Sequence, residues 1–155
     1  MTAGPLSGVR VVEFGNLIAA PYAGMLLADL GAEVVKIEPP AGDLGRGFGP
    51  YLGGESVFFM AVNRGKRSLA IDPKHPDARP WLDRLVAGAD VVVNNLRSGA
   101  MERMGYDEAG LRRMNPAVVY AVVSAFGSDG PYADRAGIDV IFQAESGMVS
   151  LTGHP

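Results

Sequence analysis

Hydrophobic and polar positions change period early in the chain. Val9, Val11, Val12 and Phe14 form a β-branched and aromatic run of strand length. Ala19-Ala20-Pro21 follows, with Pro21 where a first helical turn tolerates its missing N–H. Tyr22, Met25, Leu26, Asp29 and Leu30 then recur at helical spacing and predict one inward stripe, apolar except for Asp29. Gly31 fits the position just past a helix end, and a second strand is expected from Glu33 to Ile37. A strand, helix and strand of these lengths make a crossover unit, hence a parallel pair. Ligands of such sheets sit beyond the carboxyl ends of the strands, here Glu13–Asn16 and Lys36–Pro39.

The pattern then lapses. From Pro39 to Ser56 the chain is rich in Gly and Pro and reads as a long loop, of a length that is usually functional. Val57–Val62 is a short apolar segment with helical character. Further strands are expected at Ser68–Ile71, Asp90–Val93 and Val118–Val123. A helix ending near Ala87 should turn Trp81, Leu82, Leu85 and Val86 inward, with an irregular start because of Pro80. Gly99–Met104 reads as a short helix, and Asp107 caps another that carries Leu111 and Met114. After a polar, Gly-rich loop, Asp139–Met148 is expected to be helical, with Val140, Ile141 and Ala144 inward. Five strands alternating with helices predict a doubly wound, mostly parallel α/β sheet forming one domain.

Composition narrows the function classes. The chain has no cysteine, which excludes disulfides, zinc–thiolate sites, iron–sulfur clusters and a thiol nucleophile within it. Its two histidines, His75 and His154, are too far apart in sequence to suggest a metal pair, and no metal is expected. A net charge of −3 and the absence of a basic stripe give no reason to expect nucleic acid. No signal peptide and no apolar run of membrane-spanning length is visible, so a cytoplasmic protein without a membrane partner is expected.

The familiar motifs are missing. No G-x-G-x-x-G follows the first strand, so NAD and FAD are not expected, although Glu38 stands where a ribose-binding acid would. The Gly45–Gly49 run has the glycines but no strand before it, and neither a Walker A lysine nor a G-x-S-x-G elbow occurs. What remains is a set of cations near predicted strand ends: Lys66, Arg67, Lys74, Arg97 and Arg103. Each alone reads as a solvated surface charge. Together they suit a phosphate-bearing ligand along one sheet edge.

The segments PLSGVRVVEF, APYAGMLLADLGAEVVKIEPPAGD, FFMAVNRGKRSLAIDPK, ADVVVNNLRSGAMERMGYD, NPAVVYAVVSAFGSDGPYADRAGID and QAESGMVSLTG carry a resemblance further. In this order and spacing the chain resembles the N-terminal part of the class III CoA-transferases. That family includes formyl-CoA transferase, carnitine CoA-transferase and α-methylacyl-CoA racemase. The resemblance implies a Rossmann-like large domain of which residues 1–155 form the CoA-binding part. It implies coenzyme A, as acyl-CoA, for a substrate, and a carboxylic acid as acceptor. The implied pocket takes Leu17, Ile18 and Ala19 after the first strand, and Ile71 and Lys74 around the third. It takes Asn95, Leu96 and Arg97 after the fourth strand, then Arg103 and Met104, with Gly137, Ile138 and Asp139 near the thioester.

Two departures matter. Formyl-CoA transferase carries glutamine where Ile18 stands and arginine where Pro39 stands, which argues against a formyl or oxalyl substrate and removes one phosphate contact. Racemases carry a His-Asp pair where this chain reads Ile138-Asp139, and isoleucine cannot move a proton. The racemase is the runner-up reading, and a silent CoA-binding or dimerising module the third. The alternative for Asp139 is a helix N-cap.

By resemblance, the transferase nucleophile is an aspartate beyond Pro155, so no catalytic residue is assigned within the chain. A glycine-rich loop that follows supplies oxyanion donors in such enzymes. Family members are roughly 400 residues long and form interlocked homodimers. The chain is therefore expected to be a fragment, inactive alone.

Overall fold

The computed structural model describes residues 4–153; His154, discounted above as a metal ligand, lies outside them. The strands among these residues are β1 Arg10–Phe14, β2 Glu33–Glu38, β3 Tyr51–Leu52, β4 Glu55–Ser56, β5 Arg67–Ala70, β6 Val91–Asn94 and β7 Val119–Val122. The helices are α1 Ala19–Asp29, α2 Val57–Asn63, α3 Arg79–Ala87, α4 Ala100–Arg103, α5 Glu108–Met114, α6 Asp139–Glu145 and α7 Met148–Leu151. Five strands pair in parallel in the order β5-β2-β1-β6-β7. This is the expected α/β sheet. Its strand order reverses between β1 and β6, and that switch point is where such sheets open a crevice at their carboxyl edge.

Alternate residues of each strand serve opposite faces. On one face Val12, Phe14, Ile37 and Val92 meet Leu82 and Val86 of α3, Leu111 of α5, Met101 and Tyr106. On the other, Val11, Val34 and Val93 pack under Ala20 of α1, with Ala23, Leu27 and Ala28 alongside. Burying strands on both faces is what their near-continuous Val/Ile content demands.

Most elements fall where the hydrophobic pattern puts them, with β5 one residue earlier, β6 one residue later and β7 one residue shorter at each end. Gly31 follows α1 with φ +101°, as expected. Asp107 caps α5 by accepting from the Gly110 amide. A 3₁₀ turn over Pro76–Ala78 leads into α3 and leaves Pro80 in its first turn, the irregular start that Pro80 predicts.

Four expectations fail for physical reasons. Of the expected stripe on α1 Met25 is buried, but Tyr22, Leu26 and Leu30 are exposed, and Ala20, Pro21 and Gly24 share the buried face with Met25. The Glu13 side chain of β1 rises on that face, so the residue directly over it, Gly24, has no room for a side chain. Trp81 is 63% exposed; it flanks the inward pair Leu82 and Val86 and lies under the Arg84 guanidinium at 5.0 Å. Val140, Ile141 and Ala144 of α6 also face outward, because this helix packs on α7 and on Phe126 through Phe142 rather than on the sheet. The long loop is structured: Leu44–Gly47 forms a 3₁₀ turn and β3-β4 a hairpin before Ser56 caps α2.

Candidate functional site

The site begins with the turn after β1. Leu17 has φ +63°, the one non-glycine residue in the left-handed region among the described residues. Side chains with a Cβ adopt that region at a cost, and such positions concentrate at functional sites. Three side chains from three other segments grip the turn. Lys36 Nζ donates to the Gly15 carbonyl at 2.6 Å. The Asn95 amide accepts from Asn16 N and donates to Asn16 O, both at 2.9 Å. The Leu17 amide donates to Asp43 Oδ1 at 3.2 Å.

Beneath the turn lies a buried ionic cluster. Glu13 and Lys36 are register partners on β1 and β2, joined at 2.9 Å. Lys36 also meets Asp43 Oδ2 at 2.7 Å, and Lys66 meets the second Glu13 oxygen at 2.7 Å. Lys66 donates further to Pro21 O and Asn63 Oδ1. Two carboxylates and two ammonium groups cancel, as buried charges must. Burial pushes the Lys66 ammonium below its ordinary pKa, and the Glu13 carboxylate acts against that. Lys66 thus leaves the set of phosphate-facing cations suggested by its sequence position.

A third buried carboxylate adjoins this cluster through the Asp43 backbone. Glu38 accepts two 2.7 Å bonds from Arg46, one from Ser68 Oγ at 2.6 Å and one from the Asp43 amide at 2.8 Å. Burial alone would raise its pKa, but these donors pull it down to about 2. Arg46 in turn lies 3.7 Å above the Phe59 ring, which ties the 39–50 segment to α2.

Sequence reasoning missed both clusters. The signal was present: Glu13, Lys36 and Glu38 interrupt apolar strand runs that are buried on both faces, and a charge there requires a partner.

At the carboxyl edge the strands open a crevice of about 150 Å³. Gly15 and Asn16 after β1, Glu38 and Pro39 after β2, and Ile71 and Pro73 after β5 form part of its wall. Leu96 and Met104 close it on the β6 side. It has room for a ring or a small polar group, below the ~300–1,000 Å³ of a pocket that encloses a whole ligand. A shallower depression of about 300 Å³ adjoins it at Ile71 and runs past Asp72 and His75 to Trp81. The smaller crevice is the one at the switch point, and it carries the candidate site.

Of the residues singled out by resemblance, Ile71, Leu96 and Met104 line this crevice. Leu17 stands at its mouth next to Asn16, and Ile18 and Ala19 are exposed at the start of α1. Lys74, Arg97 and Arg103 are exposed; each is bonded in sequence to a lining residue, and none forms an ion pair among the described residues. The Arg103 guanidinium reaches back toward Gly99. Arg67 is exposed at the opposite, amino end of β5. The Asn95 side chain is committed to the Asn16 backbone. Gly137, Ile138 and Asp139 stand apart from the crevice wall: Gly137 packs against Phe126 and Phe142. Ile138 is the N-cap of α6, and Asp139, its first residue, accepts from Gln143 rather than capping. No cluster of three or more metal-ligating side chains, and no helix long and apolar enough to cross a membrane, occurs among the described residues.

Comparison with known proteins gives one consistent answer. The model of CoA-transferase family III matches residues 6–155. A succinate–glutarate CoA-transferase of Agrobacterium fabrum is 44% identical over 97% of this chain and 40% of its own length. An acetyl-CoA:oxalate CoA-transferase of Acetobacter aceti is 40% identical over 98% of the chain and 39% of its own. The crystal structure of a CAIB/BAIF family protein from Brucella suis superposes with a TM-score of 0.91 at 42% identity, covering 99% of the chain and 42% of that protein. The chain spans about two fifths of the length of these relatives.

Proposed function

The chain belongs to CoA-transferase family III, and from that premise we propose that residues 4–153 form the CoA-holding part of an acyl-CoA:carboxylate CoA-transferase. One observation carries the reading. Three unpaired cations, Lys74, Arg97 and Arg103, each adjoin a residue lining the strand-end crevice. Adenine has apolar faces that suit the Ile71, Leu96 and Met104 walls. The phosphates of the same ligand suit guanidinium and ammonium groups, with Arg97 and Arg103 able to bind two oxygens each. The pantetheine arm then runs toward Leu17, Ile18 and Ala19.

In the proposed reaction an aspartate outside residues 1–155 attacks the acyl-CoA thioester carbonyl. The C–S bond breaks, leaving an acyl–aspartyl anhydride and CoA thiolate. The thiolate attacks the aspartyl carbonyl and releases the donor carboxylate, leaving CoA as an aspartyl thioester. An acceptor carboxylate attacks that thioester and expels CoA thiolate, which then attacks the acceptor's acyl carbon and frees the aspartate. Each covalent intermediate divides one difficult exchange into easier steps. The contribution of this chain is to hold CoA, with Gly137–Asp139 approaching the thioester only once the rest of the site is assembled. We place the enzyme in the cytoplasm as a homodimer.

Calorimetric titration of CoA into the chain tests the reading. One saturable site is expected, weakened about tenfold or more by Arg97→Ala or Arg103→Ala, the loss of one charge-assisted phosphate contact. Absence of binding, or binding indifferent to both substitutions, contradicts it. Incubated with an acyl-CoA and a second carboxylic acid, residues 1–155 alone should produce no new thioester by mass spectrometry.

A further inference from the structure

The turn Gly15–Leu17 is held at three consecutive residues by side chains that arrive from three separate segments. Lys36 on β2 takes the Gly15 carbonyl, Asn95 after β6 takes both polar backbone atoms of Asn16, and Asp43 in the 39–50 segment takes the Leu17 amide. The grips are not independent. Lys36 is bound to Asp43 at 2.7 Å, and both are almost wholly buried. Asp43 Oδ1 also accepts from the Gly45 amide at 2.7 Å, and the Asp43 amide donates to Glu38. The carboxylate that fixes Leu17 is therefore itself held by Lys36 and Gly45, and its backbone by Glu38. A left-handed leucine persists only when its surroundings over-determine it, and these do.

We propose that Asp43, Lys36 and Asn95 are positioning residues, which hold the Gly15–Leu17 turn as a preformed wall of the ligand crevice. Gly15 and Asn16 line that crevice, and Leu17 leads into the exposed start of α1. Asn95 then serves the site through its grip on Asn16, since its carbonyl and amide are both used there. Preforming this wall spares the ligand the ordering of a loop on binding. The functional half of the proposal rests on the CoA reading above; the structural half does not.

The test uses Asn95→Ala and Asp43→Asn, with amide hydrogen exchange and CoA titration on each. Among the described residues the Asn95 side chain bonds to Asn16 and not to the ionic cluster, so Asn95→Ala should stay folded. It is expected to speed exchange at Asn16 and Leu17 and to weaken CoA binding about tenfold, with the amides of α3 and α5 unchanged. Asp43→Asn keeps an acceptor for Leu17 but places an amide beside Lys36. It should speed exchange at Leu17 and Gly45 and weaken CoA less than Asp43→Ala does. Variants that melt earlier yet bind CoA as the wild type does would reduce the three residues to a purely structural role and overturn the proposal. Unchanged exchange at Asn16 and Leu17 would overturn it as well. If the wild type fails to bind CoA, the CoA reading falls, and the grip on the turn is judged by exchange alone.

Discussion

Gly24 of α1 passes so close over the Glu13 carboxylate that a methyl group at position 24 would collide with Oε2. That oxygen is the one paired with Lys66 at 2.7 Å. Replacing glycine by alanine inside a helix ordinarily gains ~0.5–1 kcal/mol. Here the sign reverses, because the added atom meets a buried, ion-paired carboxylate with no room to withdraw. Gly24→Ala is expected to lose about 2 kcal/mol or more in urea denaturation, within the range for overpacked cores. A stabilised variant would show that α1 does not sit against β1 as described.

Lys36→Met removes the ammonium shared by Glu13, Asp43 and the Gly15 carbonyl. Breaking a buried pair from one side costs roughly 3–5 kcal/mol, because the surviving carboxylates stay buried and uncompensated. The exposed pair between Arg112 and Glu108 provides the contrast. Arg112→Ala should cost about 0.3–0.5 kcal/mol, the range for helix pairs in water. Equal losses in the two variants would contradict the burial of the cluster.

Glu38 gives the fold a defined acid sensitivity. Its carboxyl titrates near 2 in the folded chain against an ordinary 4.5. A depressed folded pKa means that the unfolded chain takes up the proton first as pH falls. The stabilisation from Glu38 is complete above pH 4.5, declines below it, and is gone once the pH passes about 2. Melting temperature followed from pH 6 to pH 2 should fall along this interval, and Glu38→Gln should flatten part of the slope. Some slope will persist from Asp83. Burial acts to raise its pKa, but hydrogen bonds from Arg79 and Tyr106 leave it lowered.

Trp81→Ala tests the corrected face of α3. The indole is largely exposed, so the variant should stay within about 0.5 kcal/mol of the parent in denaturant. Leu82→Ala, by contrast, empties a fully buried site and should cost ~2–5 kcal/mol.

The sheet was legible because its strands are runs of Val and Ile bounded by turn residues, and no tertiary information is needed to place them. The faces of the helices were less so. Periodicity places Tyr22, Met25, Leu26 and Leu30 in one stripe, yet α1 buries Met25 with Ala20, Pro21 and Gly24, because the Glu13 carboxylate across from it leaves no room for a side chain at position 24. Likewise α6 has a sound apolar face, but no strand of the sheet lies beneath it. For the site, resemblance marked Ile71, Leu96 and Met104, which do converge, and the cations beside them. The grip on Gly15–Leu17 depends on residues from β2, the 39–50 segment and the end of β6. No local pattern joins them, so only the folded chain shows it.

The most direct measurement is the map of amide chemical-shift changes as CoA is added to the chain. Changes should concentrate at residues 15–18, 71–74, 94–97 and 103–104, around the strand-end crevice. Changes confined to the depression between Asp72 and Trp81, or no changes at millimolar CoA, would contradict the CoA reading.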